Sequence, residues 1–168
     1  MKNFLCVFLA GVVGFIIGFI IRLEVEADKF IIAVWDDDPV IVVCPDSQIT
    51  PYRVNRAIDW WRIRGHNVSY YHYDNDNIIC NKGLFVPGII FVRGTGDLPE
   101  ENYAITTRLA LKEDMIAASI LIPNRNKHMS RLLEHELGHA FGMTHVEKPG
   151  HMMHPIHEYG GEKFWVPD

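Results

Sequence analysis

The sequence predicts an α+β domain built around one core, and three observations carry that expectation. Short runs rich in Ile, Val, Phe and Tyr recur along the chain. One amphipathic segment beginning near residue 51 has both a helix start and a helix stop. A second helical stretch, crowded with histidine, lies in the last third. The chain has 168 residues, and residues 1–27 read as a separate N-terminal segment, so residues 28–168 are the size of one compact domain.

The first element is an apolar run. Phe4 to Ile21 is eighteen residues without a charge, and a helix rising about 1.5 Å per residue would carry it across most of a bilayer's hydrocarbon. Lys2 precedes it, and a positive N-terminal end favours cytoplasmic retention of that end. Val25-Glu26-Ala27 also offers a small-x-small site before Asp28, which is the signature of a cleaved secretory signal. Both readings place residues 28–168 outside the cytoplasm, membrane-anchored through residues 4–21 in one case and secreted after cleavage near Ala27 in the other.

Phe30 to Trp35 and Val40 to Cys44 read as strands separated by the acidic turn Asp36-Asp37-Asp38-Pro39, and are expected to pair as a hairpin. Thr50-Pro51 is a helix start, with threonine as cap and proline at the first helical position. The segment to about Arg64 carries Val54, Ala57, Ile58 and Trp61 at helical spacing, and Gly65 stops it. Val68 to Tyr73 and Gly88 to Arg93 are the next strands. Between them, Asp74-Asn75-Asp76-Asn77 resembles part of a calcium loop but lacks the glycine and distal glutamate of an EF-hand, so it reads as a turn. Gly94-Thr95-Gly96-Asp97 likewise reads as a loop. Tyr103 to Leu111 and Ile116 to Ile122 are two further strands, and Asn124 to Asn126 opens the last helix with Asn126 as its cap.

That helix carries the chemistry. On an α-helix, residues four apart lie on one face, so His135 and His139 can turn their rings toward one cation. Gly142 follows at a position where a left-handed glycine ends the helix and swings the chain back, delivering His145 as a third ligand. Three protein ligands around Zn²⁺ leave a fourth position for water, which distinguishes a catalytic site from a closed structural one. Glu136, next to the first ligand, is placed to take a proton from that water and later pass it to a leaving amine. Apolar Leu132, Leu133, Leu137, Ala140 and Phe141 form a stripe on the same helix that faces the core.

The run from His135 through Gly142 to His145, followed by Met153 and Pro155, resembles the zinc peptidases called metzincins, and within them the matrixin-like branch with its short methionine turn. The resemblance covers about residues 126–159 by motif. It implies a metzincin-like (zincin) α+β domain with a mixed twisted sheet, one long backing helix and an active-site helix. It also implies one catalytic Zn²⁺ on His135, His139 and His145, Glu136 as general base, and Met153 packed beneath the histidines as a floor. Met152 fits that place less well because the spacing to proline would slip by one. By order of elements, Tyr103 to Leu111 would be the edge strand beside which a peptide or protein substrate lies extended, and Pro155 to Tyr159 would wall its pocket. The chain departs from the branch in three ways: His154 stands where a tyrosine is usual, only 13 residues follow Pro155 so that the C-terminal subdomain is abbreviated, and no cysteine-switch motif precedes the domain.

The expected activity is therefore zinc-dependent endopeptidase cleavage outside the cytoplasm. The rival readings are a non-catalytic zinc-binding surface module and a hydrolase of cell-wall peptide cross-links. Seven of nine histidines lie between His128 and His157, but His128, His151, His154 and His157 follow no spacing rule for an additional structural Zn²⁺ or Ca²⁺. Cys44 and Cys80 can form one disulfide outside the cell interior, the alternative being two buried thiols. With 16 basic against 21 acidic residues and no basic cluster, nucleic-acid binding is disfavoured.

Overall fold

The computed structural model of the chain describes residues 30–96 and 98–167; the apolar run 4–21, the site near Ala27 and Asp97 lie outside the described residues. Among the described residues no helix is long and apolar enough to cross a membrane. The elements are β1 (Val40–Val43), α1 (Pro51–Arg62), β2 (Tyr70–Tyr73), β3 (Ile89–Thr95), β4 (Ile105–Leu111), β5 (Asp114–Pro123) and α2 (Leu132–Ala140). The fold is α+β with one mixed five-stranded sheet in the order β2-β1-β3-β5-β4. Neighbours are parallel except β4, which joins β5 antiparallel through a turn in which Lys112 takes φ +58°.

Period-two alternation divides the sheet into two faces. Ile41, Val43, Ile90, Val92, Ile120 and Ile122 pack into the main core with Val54, Ala57, Ile58 and Trp61 of α1 and Leu133 and Leu137 of α2. Val42, Cys44 and Phe91 point the other way and, with Cys80, form a smaller cluster. The sulfurs of Cys44 and Cys80 are bonded, which ties the 3₁₀ turn Cys80–Lys82 against the end of β1. Asp74 organises the same loop: its carboxylate accepts from the backbone N–H groups of Ile78, Ile79 and Cys80 at 3.1, 2.7 and 2.6 Å. The calcium-like spelling of residues 74–77 is thus a backbone-capping turn.

α1 starts and stops close to where the sequence places it. Thr50 is extended and Pro51 fills the first turn, although the threonine hydroxyl makes no cap bond; Gly65, at φ +87°, turns the chain away.

Two expectations fail. The hairpin between residues 30–35 and 40–44 does not form, because β1 is flanked on one side by β2 and on the other by β3, both parallel, and has no free edge. The segment instead crosses to the end of α2 and the start of β5, with Ile32 N–H donating to Gly142 O at 2.9 Å, Thr144 N–H to Phe30 O at 2.8 Å and Met115 N–H to Val34 O at 2.7 Å. Asn126 does not cap α2. It sits in a 3₁₀ turn with its side-chain amide donating to Tyr103 O at 2.9 Å, while α2 begins after Arg131, which holds φ +63°. After Pro155 the described residues form one 3₁₀ turn, His157–Tyr159, and the bridge His151 to Lys163.

The disulfide spans 36 residues, and closing a loop of that size in the unfolded chain is worth about 4 kcal/mol. Reduction, or paired Cys44→Ser and Cys80→Ser changes, should lower the thermal midpoint by many degrees; an unchanged midpoint would show that this loop is held without the bond.

Candidate metal centre and catalytic cleft

α2 turns two faces to different surroundings. Leu132, Leu133, Leu137 and Ala140 are buried in the core, while His135, Glu136 and His139 border a cleft of about 460 Å³. The buried face is pinned by polar contacts as well. Trp61, fully buried, donates its indole N–H to Glu134 O at 2.7 Å, and the buried Glu134 carboxylate receives Arg56 Nε at 3.0 Å. Gly138 permits the close approach: a Cβ there would lie 2.3 Å from Met153 Sδ and 2.7 Å from Trp61. Met153 is completely buried at this contact, against the histidine helix.

Past Phe141 the chain reverses at Gly142. Its φ of +92° suits glycine, and a Cβ would lie 1.8 Å from Ala33 O, so both backbone angle and space exclude a side chain. Met143, fully buried, and the bond from Thr144 to Phe30 hold the return segment, and His145 comes to rest beside the helix.

The three rings converge. Centroids of His135, His139 and His145 lie 4.7 to 5.4 Å apart, and a ligand atom from each falls within 4.8 Å of the others. His139 Nε2 and His145 Nε2 are 3.1 Å apart. Nδ1 of His135 meets Met152 O at 2.8 Å and Nδ1 of His139 meets Met143 O at 2.8 Å. A carbonyl only accepts, so both Nδ1 atoms carry the proton and both Nε2 atoms keep a lone pair aimed inward. Burial favours the neutral rings, pushing His135 down to about 4 and His139 down to about 3. His145 is also lowered, by burial and then by the charge of Arg108. Neutral imidazoles with inward lone pairs are the form a metal ion binds, and this trio is the one His/Cys/Asp/Glu group among the described residues arranged to hold one.

Glu136 lies beside the trio, buried, with its acid strength reduced. Burial raises it to about 7 despite a 2.5 Å hydrogen bond from Thr106 Oγ1, which favours the carboxylate. A carboxyl poised near neutrality can both accept and release a proton at working pH.

Thr106 belongs to β4, the free edge of the sheet, and so does Arg108, whose Nη1 donates to Met143 O at 3.0 Å. Neither residue is marked by any motif in the sequence. Two positions apart in a strand put them on one face, but nothing in a single chain's spelling says that this face meets α2.

The remaining histidines divide. His151 is completely buried: Nδ1 accepts from Met153 N–H at 3.0 Å and Nε2 donates to Trp165 O at 3.0 Å, which braces the methionine turn. His154 and His157 line the cleft with Pro155; His154 Nδ1 accepts from Ile156 N–H, and His157 Nε2 donates to Ser130 O. His128 is exposed. Of the expected wall Pro155 to Tyr159, the cleft is lined by Pro155 and His157, while Glu158 receives Tyr103 Oη at 2.9 Å and Tyr159 stands exposed.

The depressed imidazoles make an acid-stability prediction. Histidine in an unfolded chain takes a proton near about 6.5, whereas the folded rings wait until about 4 and about 3. Between those limits the unfolded state binds more protons, so stability rises with pH and is lost on acidification. Glu136 opposes this as one raised carboxyl against two depressed imidazoles. Metal-free protein should therefore melt lower at about pH 5 than at about pH 7, and His139→Gln should flatten that dependence; a steeper dependence in the variant would contradict the assigned protonation. No protein-family model, no curated protein and no solved structure matches this chain.

Proposed function

We propose that this protein is a zinc-dependent endopeptidase of metzincin-like, matrixin-like type, acting outside the cytoplasm. The observation that carries the reading is the convergence of three neutral imidazoles, with a buried carboxyl beside them, on the floor of an open cleft bordered by an unpaired strand edge. Zn²⁺ suits three nitrogen donors with one open position, and when bound it supplies an acidified water and polarisation of the scissile carbonyl.

The chain's own residues do the rest. His135, His139 and His145 hold the ion, and their Nδ1 partners keep two of the rings from turning. Glu136 accepts the proton of the attacking water on its carboxylate and returns it to the leaving amine; Thr106 orients that carboxylate through Oε2. Among the described residues the outer edge of β4 has no strand partner, so an extended peptide can add as a sixth strand and bring its carbonyl over Glu136. Leu132, Pro155 and His157 bound the space available to a substrate side chain. The Cys44–Cys80 bond supports an oxidising compartment, in keeping with the apolar run 4–21.

The test is zymography on casein and on cell-wall material with the wild type and two variants. The wild type should clear casein. Glu136→Ala should lose about 10² to 10⁴ of the rate while still binding one zinc per chain, and His139→Ala should fail to retain zinc. Ordinary turnover by Glu136→Ala would remove the general base from the mechanism, and clearing of wall material alone would replace protein by peptide cross-links as substrate.

A further inference from the structure

Arg108 is a cation the proposed mechanism does not use. It lies on the α2-facing side of β4, two residues beyond Thr106, and lines the cleft near His139 and His145. Nη1 donates to Met143 O at 3.0 Å and, at 3.5 Å, to His139 O. Those bonds anchor one nitrogen. Nε and Nη2 make no hydrogen bond among the described residues, and neither is a buried orphan, so both remain accessible from the cleft. The described ion pairs fall on Arg56 and Arg62, leaving Arg108 without a carboxylate.

A partly desolvated guanidinium fixed at one nitrogen is an uncommon arrangement without an anion. Arg108 loses hydration by burial, yet no acidic side chain compensates it. Its planar fork matches a carboxylate through two parallel N–H···O bonds.

We propose that Arg108 is the specificity-determining residue of the cleft and that it receives a carboxylate of the substrate through Nε and Nη2; this rests on the peptidase reading above. Two residues along a strand span about 6 to 7 Å. A peptide laid beside β4, with its scissile carbonyl opposite the Thr106–Glu136 pair, therefore brings a carboxylate within two or three positions of that bond to the guanidinium. The carboxylate is either an Asp or Glu side chain or the free terminus of a short peptide.

The experiment uses pairs of short peptides differing only by Glu/Gln or Asp/Asn near the centre, each with a free or amidated C-terminus. They are titrated by fluorescence anisotropy against the zinc-loaded full chain, and the same pairs are incubated for product mapping. Acidic members should bind about tenfold or more tightly than their amide twins. Arg108→Gln should erase the difference and Arg108→Lys should keep part of it. A gain that follows the internal acid identifies a side chain as the source, and one that follows the free terminus identifies the terminal carboxylate. Equal binding of acid and amide members by the wild type, or a preference that survives Arg108→Gln, overturns the proposal; if Arg108→Gln does not fold, the wild-type pairs decide it. Preference in binding with no hydrolysis would keep the carboxylate site and remove the peptidase, and hydrolysis without preference would do the reverse.

Discussion

Two backbone carbonyls fix the geometry of the three-histidine cluster. Met152 O and Met143 O each take the Nδ1 proton of a cleft histidine, and by that act turn the two Nε2 lone pairs of His135 and His139 toward a common point. Without those acceptors the rings would rotate or exchange tautomer, and i,i+4 spacing alone would give two histidines on one face with no shared focus. The rest of the molecule can be understood as what holds the two carbonyls still. Met152 belongs to a turn braced by buried His151, which joins Met153 N–H to Trp165 O. Met143 sits beyond the Gly142 reversal, buried, and shares its carbonyl with Arg108 of β4.

Close approach makes that bracing rigid. Gly138 and Gly142 mark the places where a side chain would collide, one with Met153 and Trp61, the other with the backbone of Ala33. The contact at Ala33 explains why the first described segment abandons β1 and crosses to the end of α2: it supplies the surface against which the glycine turns and takes two backbone hydrogen bonds there. The same economy shapes the opposite face, where Asp74 and the Cys44–Cys80 bond hold a loop over Val42 and Phe91, so that the sheet is covered on both sides near its centre and open at β4. An open edge beside a buried carboxyl and three converging imidazoles is the combination on which the proposed peptide cleavage rests.

Features with a fixed local period were legible in the sequence. His135, His139, Gly142 and His145 follow from the helical repeat and one left-handed turn. α1 follows from Thr50, Pro51 and Gly65, while the place of Tyr103 to Leu111 at the sheet edge was an expectation of the family resemblance and not of its own residues. Long-range choices were not legible. A continuous apolar run marks 30–35 as extended but not as the partner of Met143 and Asp114, and nothing local says that β1 pairs on both sides. Asn126 has the chemistry of a cap, yet its amide goes to Tyr103 O, a residue 23 positions away. Thr106 and Arg108 were invisible for the same reason: an edge strand's inward face acquires meaning only from the helix it meets. Cys44 and Cys80 allowed a bond without implying it, since their meeting depends on β1 and the loop after β2 sharing a face.

The proposed function stands on a three-histidine metal centre with one position left for water. X-ray absorption on the zinc-loaded protein measures it most directly. The spectrum should show one zinc per chain with three nitrogen neighbours at about 2.0 to 2.1 Å and one further light atom from solvent. A fourth protein donor in the shell, or zinc that binds without imidazole scattering, would contradict it.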